Sequence, residues 1–65
     1  MLQKAQVEIR LKALGAFYVI DVDDLHEVWG TAWGHFIWIP MVGPLGGLHE
    51  DDMLEIEDDI RSSKP

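Results

Sequence analysis

The chain has 65 residues, with twelve acidic side chains against five basic ones and a formal net charge of −7. This negative charge argues against direct binding of DNA or RNA and against docking on an anionic membrane. The chain has no cysteine, which excludes disulfides, thiolate zinc sites and thiol nucleophiles.

We predict one small domain over residues 1–65, with frayed ends at 1–3 and 61–65. A chain of this length buries only a small core, so we expect further stabilisation from a partner or a homodimer. The first residues lack the apolar stretch of a secretory signal, and the absence of cysteine suits a reducing compartment. We therefore expect a cytoplasmic protein.

Residues 4–13 alternate polar and apolar side chains without a break. On a helix the apolar side chains would divide between two opposite faces, whereas on a strand they share one face. The alternation therefore predicts a half-buried strand. Gly15 can supply a tight reversal, and the aromatic and β-branched residues 17–20 predict a second strand that completes a β-hairpin.

Residues 21–38 contain all three tryptophans and are predicted to form an amphipathic helix. At about 100° per residue, seven apolar side chains fall on one face: Leu25, Val28, Trp29, Ala32, Trp33, Phe36 and Ile37. The acidic residues near Asp21 suit the positive end of a helix dipole, and Pro40 would end the helix. We expect this helix to pack across one face of the sheet.

Residues 40–48 contain two prolines and three glycines, which predict a loop without regular structure. Its apolar side chains, including Met41, either cover one edge of the core or form part of a contact surface. Residues 28–48 also lack a formally charged side chain over about the length of a bilayer span. Two prolines, five glycines and acidic flanks disfavour a membrane helix there.

Residues 50–60 hold seven of the twelve acidic side chains, and two interpretations of this segment remain open. Leu54 and Ile56 alternate with glutamates as in a strand, whereas the spacing of Met53, Ile56 and Ile60 suits a helix. We favour a strand at residues 53–57, because a third strand would complete a marginal two-stranded sheet. The predicted fold class is α+β: a small ββαβ domain, with an antiparallel meander sheet and one amphipathic helix packed on one face.

The sequence contains no recognisable catalytic, cofactor or metal motif. His26 and His35 would lie about 180° apart on the predicted helix, so they could not bind one ion together. His49 lies beside several acids, but the spacing defines no ligand set. Ser62 and Ser63 lie outside any nucleophile motif. We therefore expect neither an enzyme nor a bound cofactor.

Two surfaces are predicted to bind partners. The outer side of the predicted helix combines Gly30 and Gly34 with Trp38, a small-residue ledge beside a residue type enriched at binding hot spots. We expect a homodimer through this surface. The C-terminal acids either solvate a sheet edge or imitate a phosphate backbone. They are Glu50, Asp51, Asp52, Glu55, Glu57, Asp58 and Asp59.

The leading hypothesis is a small acidic protein-protein interaction protein. It would inhibit a larger protein by occupying its basic, nucleic-acid-binding surface. The alternative is a structural subunit or adaptor that binds through an apolar surface formed by Trp38, Met41 and neighbouring loop residues. Salt separates the two hypotheses, because charge-led association weakens as ionic strength rises whereas apolar burial does not.

Overall fold

The computed structural model describes residues 1–40 and 47–65. Its elements, in chain order, are α1 (Lys4–Ala13), β1 (Ala16–Asp21), β2 (His26–Thr31), β3 (Phe36–Pro40) and α2 (Glu50–Ser63). The three strands form an antiparallel meander in the order β1-β2-β3, which confirms the predicted α+β class and meander sheet. The order of elements is αβββα rather than the predicted ββαβ, and two helices replace the single predicted one.

The predicted strand at residues 4–13 is wrong, because this segment forms helix α1. Most of its residues are good helix formers. Val7 and Leu11, one helical turn apart, are buried, and Leu14 packs half-buried against the same core. Ile9, which the alternation assigned to the core side, is 67% exposed. Helix propensity and one i, i+4, i+7 stripe therefore outweigh the period of two.

The predicted helix over residues 21–38 is also wrong, since its larger part forms β2, a turn and β3. Gly34 lies in the turn with a φ of +85°, a conformation that glycine adopts without strain. The Thr31 amide donates to the His35 carbonyl at 3.0 Å, and the His35 amide donates to Thr31 Oγ1 at 3.1 Å. These bonds close the hairpin, and the predicted apolar stripe is divided between the two faces of a sheet.

Residues 17–20 lie in β1 as predicted, but β1 pairs with β2 rather than with residues 4–13. The pairing register shifts between Tyr18 and Ile20, so that Val19 forms a bulge. Because of the bulge, Tyr18 and Asp21 lie on one face of the sheet while Ile20 lies on the other. In a regular strand, Tyr18 and Ile20 would share a face and Asp21 would lie on the other; the bulge changes this arrangement.

Helix α2 spans Glu50–Ser63, so the favoured strand at residues 53–57 is wrong and the helical interpretation is confirmed. Met53, Glu57 and Ile60 are buried at helical spacing. The three acids in the first turn interact favourably with the helix dipole.

Residues near both termini make hydrogen bonds to other parts of the domain. Leu2 and Leu48 pair through two backbone hydrogen bonds of 2.8 and 2.9 Å. Residues 61–63, which were expected to fray, belong to α2, and the Trp33 indole donates to Ser63 Oγ at 2.9 Å. Backbone hydrogen bonds therefore include Leu2, and helix α2 includes residues 61–63.

Both helices pack on one face of the sheet. The buried core consists of Val7, Leu11, Ala16, Trp29, Ile39, Leu48, Met53 and Ile60. Arg10 joins the helices, because its Nε donates to Glu57 Oε2 at 3.1 Å and its Nη1 donates to both Glu50 carboxylate oxygens at 2.9 and 2.8 Å. The described residues therefore form two layers, and the two helices leave the opposite face of the sheet uncovered.

Within residues 1–40 and 47–65, no helix is long and apolar enough to cross a membrane. Of the segment considered as a membrane span, residues 28–40 lie in β2, the turn and β3, and 41–46 lie outside the described residues.

Candidate interaction surfaces

The face of the sheet opposite the helices is apolar along its central rows. We call this surface the open face. Its residues follow from the strand register and from the bulge at Val19; they are Phe17, Val19, Ile20, Val28, Gly30, Phe36 and Trp38. None of these residues carries a charge, and five of the seven have exposed large apolar side chains. Trp38 and Ile20, on the two edge strands, are each 58% exposed.

Gly30 lies at the centre of the open face, between Phe17 on β1 and Phe36 on β3. A Cβ atom at Gly30 would lie 3.0 Å from Phe36 Cε1 and 3.3 Å from Val19 Cγ2. These neighbouring side chains cover the strand backbone, so packing within the sheet accounts for the glycine.

The helix that would have carried the predicted ledge of Gly30 and Gly34 does not form. Gly34 is a turn residue, and no neighbouring atom lies within 4 Å of the position that its Cβ would take. Gly30 and Trp38 nevertheless share the open face. Met41, another predicted binding residue, lies outside the residues that the structure describes.

A histidine and an aspartate mark one end of the open face. The His26 ring lies 5.9 Å from the Trp38 ring between centroids, and His26 Nδ1 lies 3.1 Å from Asp23 Oδ1. The Leu25 amide donates to the same Asp23 oxygen at 2.7 Å. The Leu25 hydrogen bond, followed by the His26 contact, lowers the pKa of Asp23. Asp23 and His26 therefore form a polar boundary at one end of the apolar open face.

The carboxylates of the strands lie on the helix-covered face instead. Glu27 is buried there; its Oε1 accepts a hydrogen bond from the Trp29 indole at 3.0 Å, and its Oε2 lies 3.4 Å from Lys4 Nζ. Attraction to Glu27 raises the pKa of Lys4. The Tyr18 hydroxyl donates to Asp21 Oδ1 at 2.9 Å, and this bond raises the pKa of Tyr18. The face of the sheet on the helix side is therefore more polar than the open face, with Glu27 buried and the Tyr18–Asp21 pair exposed.

Three of the seven predicted acidic residues on α2 make contacts within the domain. Glu50 and Glu57 bind Arg10, and Asp59 Oδ2 lies 2.8 Å from His35 Nε2. The hydrogen bond from Arg10 lowers the pKa of Glu50, while the two carboxylates raise the pKa of Arg10 above its usual range. These acids hold the helices and the β2–β3 turn in place.

The other four acids are exposed on α2, and no described Lys, Arg or His lies within salt-bridge distance of them. We call them the acidic ridge: Asp51, Asp52, Glu55 and Asp58. Because the buried side of α2 faces the sheet, the ridge lies on the far side of the domain from the open face. The domain therefore presents an apolar surface and an acidic surface in opposite directions.

No group of three or more histidine and acidic side chains in the described part of the chain could hold a metal ion. His26 and His35 each contact one aspartate, and they do so at different places in the fold. His49 precedes α2 as its N-terminal flanking residue.

No protein-family model, no curated protein and no solved structure matches this chain. Within residues 1–40 and 47–65, the fold defines a two-layer α+β domain in which the helices cover one face of the sheet and leave the other uncovered.

Proposed function

We propose that this chain is a small, non-catalytic protein-protein interaction domain whose main binding surface is the open face. The supporting observation is the direction of the strand side chains. The exposed side chains of the open face are apolar, whereas Glu27 is buried under the helices. The buried Glu27 carboxylate is compensated by the Trp29 hydrogen bond and the Lys4 contact, whereas the apolar side chains of the open face are left in water, which is unfavourable. A protein that covers the open face removes this cost.

The size and composition of the open face also support the proposal. Its five exposed side chains offer on the order of 500–600 Å² of apolar surface, the upper end of the largest patches on ordinary monomers. Trp38, Phe17 and Phe36 are aromatic, and aromatic side chains are enriched in the cores of protein interfaces. The paired strands hold these side chains in a fixed arrangement, which reduces the entropy lost on binding.

The acidic ridge supports a second candidate, in which α2 occupies the basic, nucleic-acid-binding surface of a larger protein. Asp51, Glu55 and Asp58 follow one another at helical spacing on the outer side of α2. Closely spaced exposed carboxylates favour association with a cationic surface and speed the encounter. This candidate uses four of the seven acids, because the other three already contact groups within the domain.

Retention of partner proteins by immobilised chains tests the proposal. The parent, Trp38→Lys and Leu54→Lys would be compared against lysate of the source cells, with retained proteins identified and their binding measured again after purification. Leu54 lies on α2 and is 49% exposed, so its variant controls for replacing an exposed apolar residue with lysine. We expect Trp38→Lys to lose the specific partner and Leu54→Lys to keep it.

Salt and charge reversal separate the two candidates. Binding through the open face should persist when ionic strength rises, whereas binding through the acidic ridge should weaken steeply. Retention that survives Trp38→Lys but is abolished by Asp51→Lys, Glu55→Lys and Asp58→Lys together would overturn the open face as the main surface and favour the ridge.

A further inference from the structure

We infer that the occupant of the open face is a second copy of this chain, packed face to face about a two-fold axis. This inference rests on the proposed function, since it names the partner at the same surface. Two copies would form four layers, with the two sheets inside and the four helices outside. Three features of the domain support this arrangement: the charge of the open face, the position of the acids and the available area.

The first feature is the absence of charge on the open face. Its members from Phe17 to Trp38 are all uncharged, so two copies in contact bring no like charges together there. A two-fold contact uses the same patch on both chains and therefore requires a self-complementary surface. A flat apolar patch meets this requirement, whereas a patch with charges of one sign would not. A basic partner gains nothing from such a face.

The second feature is the position of the acidic ridge. Each copy carries a net charge of −7, so every homodimer has to keep its acids apart. Packed sheets are about 10 Å apart, and each helix layer adds about 10 Å more. A face-to-face dimer therefore separates the two ridges by roughly 30 Å, about four Debye lengths at physiological salt. The repulsion between the copies is then largely screened.

The third feature is the area. Two open faces together bury on the order of 1,000–1,200 Å² of apolar surface, and their polar boundaries add to this. Specific protein interfaces begin at about 1,200 Å² in total, so the patch reaches the lower end of that range. Weak, transient interfaces lie at the low end of the size range, so we expect a reversible dimer with a dissociation constant on the order of micromolar. Monomer and dimer should therefore exchange with concentration.

Sedimentation velocity over a concentration series of roughly 5 to 500 µM tests the inference, because this range spans a micromolar dissociation constant. The proteins are the parent, Ile20→Lys, Trp38→Lys and Leu54→Lys. Ile20 and Trp38 lie on different edge strands of the open face, and Leu54 lies on α2. All three substitutions add the same charge, so differences between their dissociation constants depend on where the lysine lies in the fold. Circular dichroism confirms that each variant is folded.

We expect the parent to pass from monomer to dimer, and both open-face variants to raise the dissociation constant at least about tenfold. Leu54→Lys should dimerise like the parent, and higher salt should leave the dimer intact or strengthen it slightly.

A parent that stays monomeric at the highest concentration overturns the inference. It does not overturn the proposed function, which is tested separately by whether Trp38→Lys loses a partner protein in the retention experiment. A dimer weakened by Leu54→Lys but not by Ile20→Lys or Trp38→Lys contradicts both, because the contact then lies on the helices. A dimer that dissociates when salt is raised also contradicts the inference, since its contact is led by charge.

Discussion

The two faces of the sheet are built from the same three strands and have opposite surroundings. Trp29 and Trp38 show the difference most clearly, because Trp29 is 1% exposed under the helices and Trp38 is 58% exposed on the open face. Successive side chains of a strand point to opposite faces, so each strand contributes to both. The helix-covered face contains the buried core that stabilises the domain, and the exposed side chains of the open face contribute little to that stability.

This division of roles has an energetic basis. A domain of 65 residues has a free energy of unfolding on the order of 3–10 kcal/mol, so a single core side chain contributes a large share. An exposed side chain has little surface to lose on unfolding and contributes correspondingly less. Substitutions on the two faces should therefore have different effects on the free energy of unfolding.

The strongest comparison is between Trp29→Ala and Trp38→Ala. Loss of the buried Trp29 indole leaves a large cavity and removes the hydrogen bond to Glu27, and tryptophan truncation in a core costs about 3–5 kcal/mol. We expect Trp29→Ala to be largely unfolded at 25 °C. Trp38→Ala should lower the free energy of unfolding of the monomer by less than about 1 kcal/mol. Urea titrations at low protein concentration measure both, and equal losses would remove the distinction between the faces.

Helix α1 offers a second comparison on the covered side. Leu11 is fully buried and Ile9 points to solvent. Leu11→Ala should lower the free energy of unfolding by about 2–4 kcal/mol, and Ile9→Ala by less than about 0.5 kcal/mol. Thermal or urea unfolding followed by circular dichroism measures the difference. If Ile9→Ala lowered the free energy of unfolding more than Leu11→Ala, the result would favour the strand that the alternation of residues 4–13 predicts.

Arg10 tests how the covered face is held together. Arg10→Ala leaves the Glu57 carboxylate, whose side chain is 8% exposed, without its cation. We expect a fall in Tm of several degrees, smaller than that for Leu11→Ala. Arg61→Ala removes the same charge from an exposed position of α2 and should change Tm little. Adding Glu57→Gln to Arg10→Ala should recover part of the loss; no recovery would show that the unpaired carboxylate is not the cause.

The smallest expected effect is the dependence of the Arg10–Glu50 contact on pH. Arg10 lowers the pKa of Glu50 below its usual 4.5 in the folded protein, so the contact contributes stability above that pH. The contribution is lost as the pH falls below 4.5 through the folded-state pKa. Glu50→Gln should therefore have a lower Tm than the parent at pH 7, and the difference should shrink towards pH 3 in thermal melts. If the difference in Tm between Glu50→Gln and the parent did not change with pH, the Arg10–Glu50 contact would not contribute to stability in this way.

Some of the fold follows from local patterns in the sequence. The α+β class, the strand at residues 17–20 and the reversal at Gly15 were predicted from residue types that favour strands and turns. The helical spacing of Met53, Ile56 and Ile60 was also visible, but the need for a third strand was given more weight. That third strand comes from residues 36–40 instead.

Other elements were mispredicted because their patterns are ambiguous. In β2 and β3 apolar side chains lie on both faces, so polar and apolar residues do not alternate clearly, and consecutive pairs such as Val28 and Trp29 produce a false helical stripe. Gly30 and Gly34 argued against a helix, since an interior glycine costs about 1 kcal/mol there. They were interpreted as a contact ledge, whereas one lies in a strand and the other in a turn.

The open face could be predicted only in part. Trp38 and Gly30 were selected as binding residues, but Ile20, Val28 and Phe36 become their neighbours only through strand pairing and the bulge at Val19. The distribution of the acids likewise depends on tertiary contacts, because Arg10 lies 40 and 47 positions from the two glutamates that it binds. Composition predicted the negative charge of the C-terminal segment but not which carboxylates remain free of contacts.

The most direct test of a second copy on the open face is a concentration series of ¹H–¹⁵N spectra that follows the three tryptophan indole N–H signals. Trp29 reports the core through its bond to Glu27, Trp33 reports helix α2 through its bond to Ser63, and Trp38 reports the open face. We predict that the Trp38 signal shifts or broadens as concentration rises, while the Trp29 and Trp33 signals stay in place. A Trp38 signal that does not change with concentration, or a change confined to Trp33, would contradict the dimer.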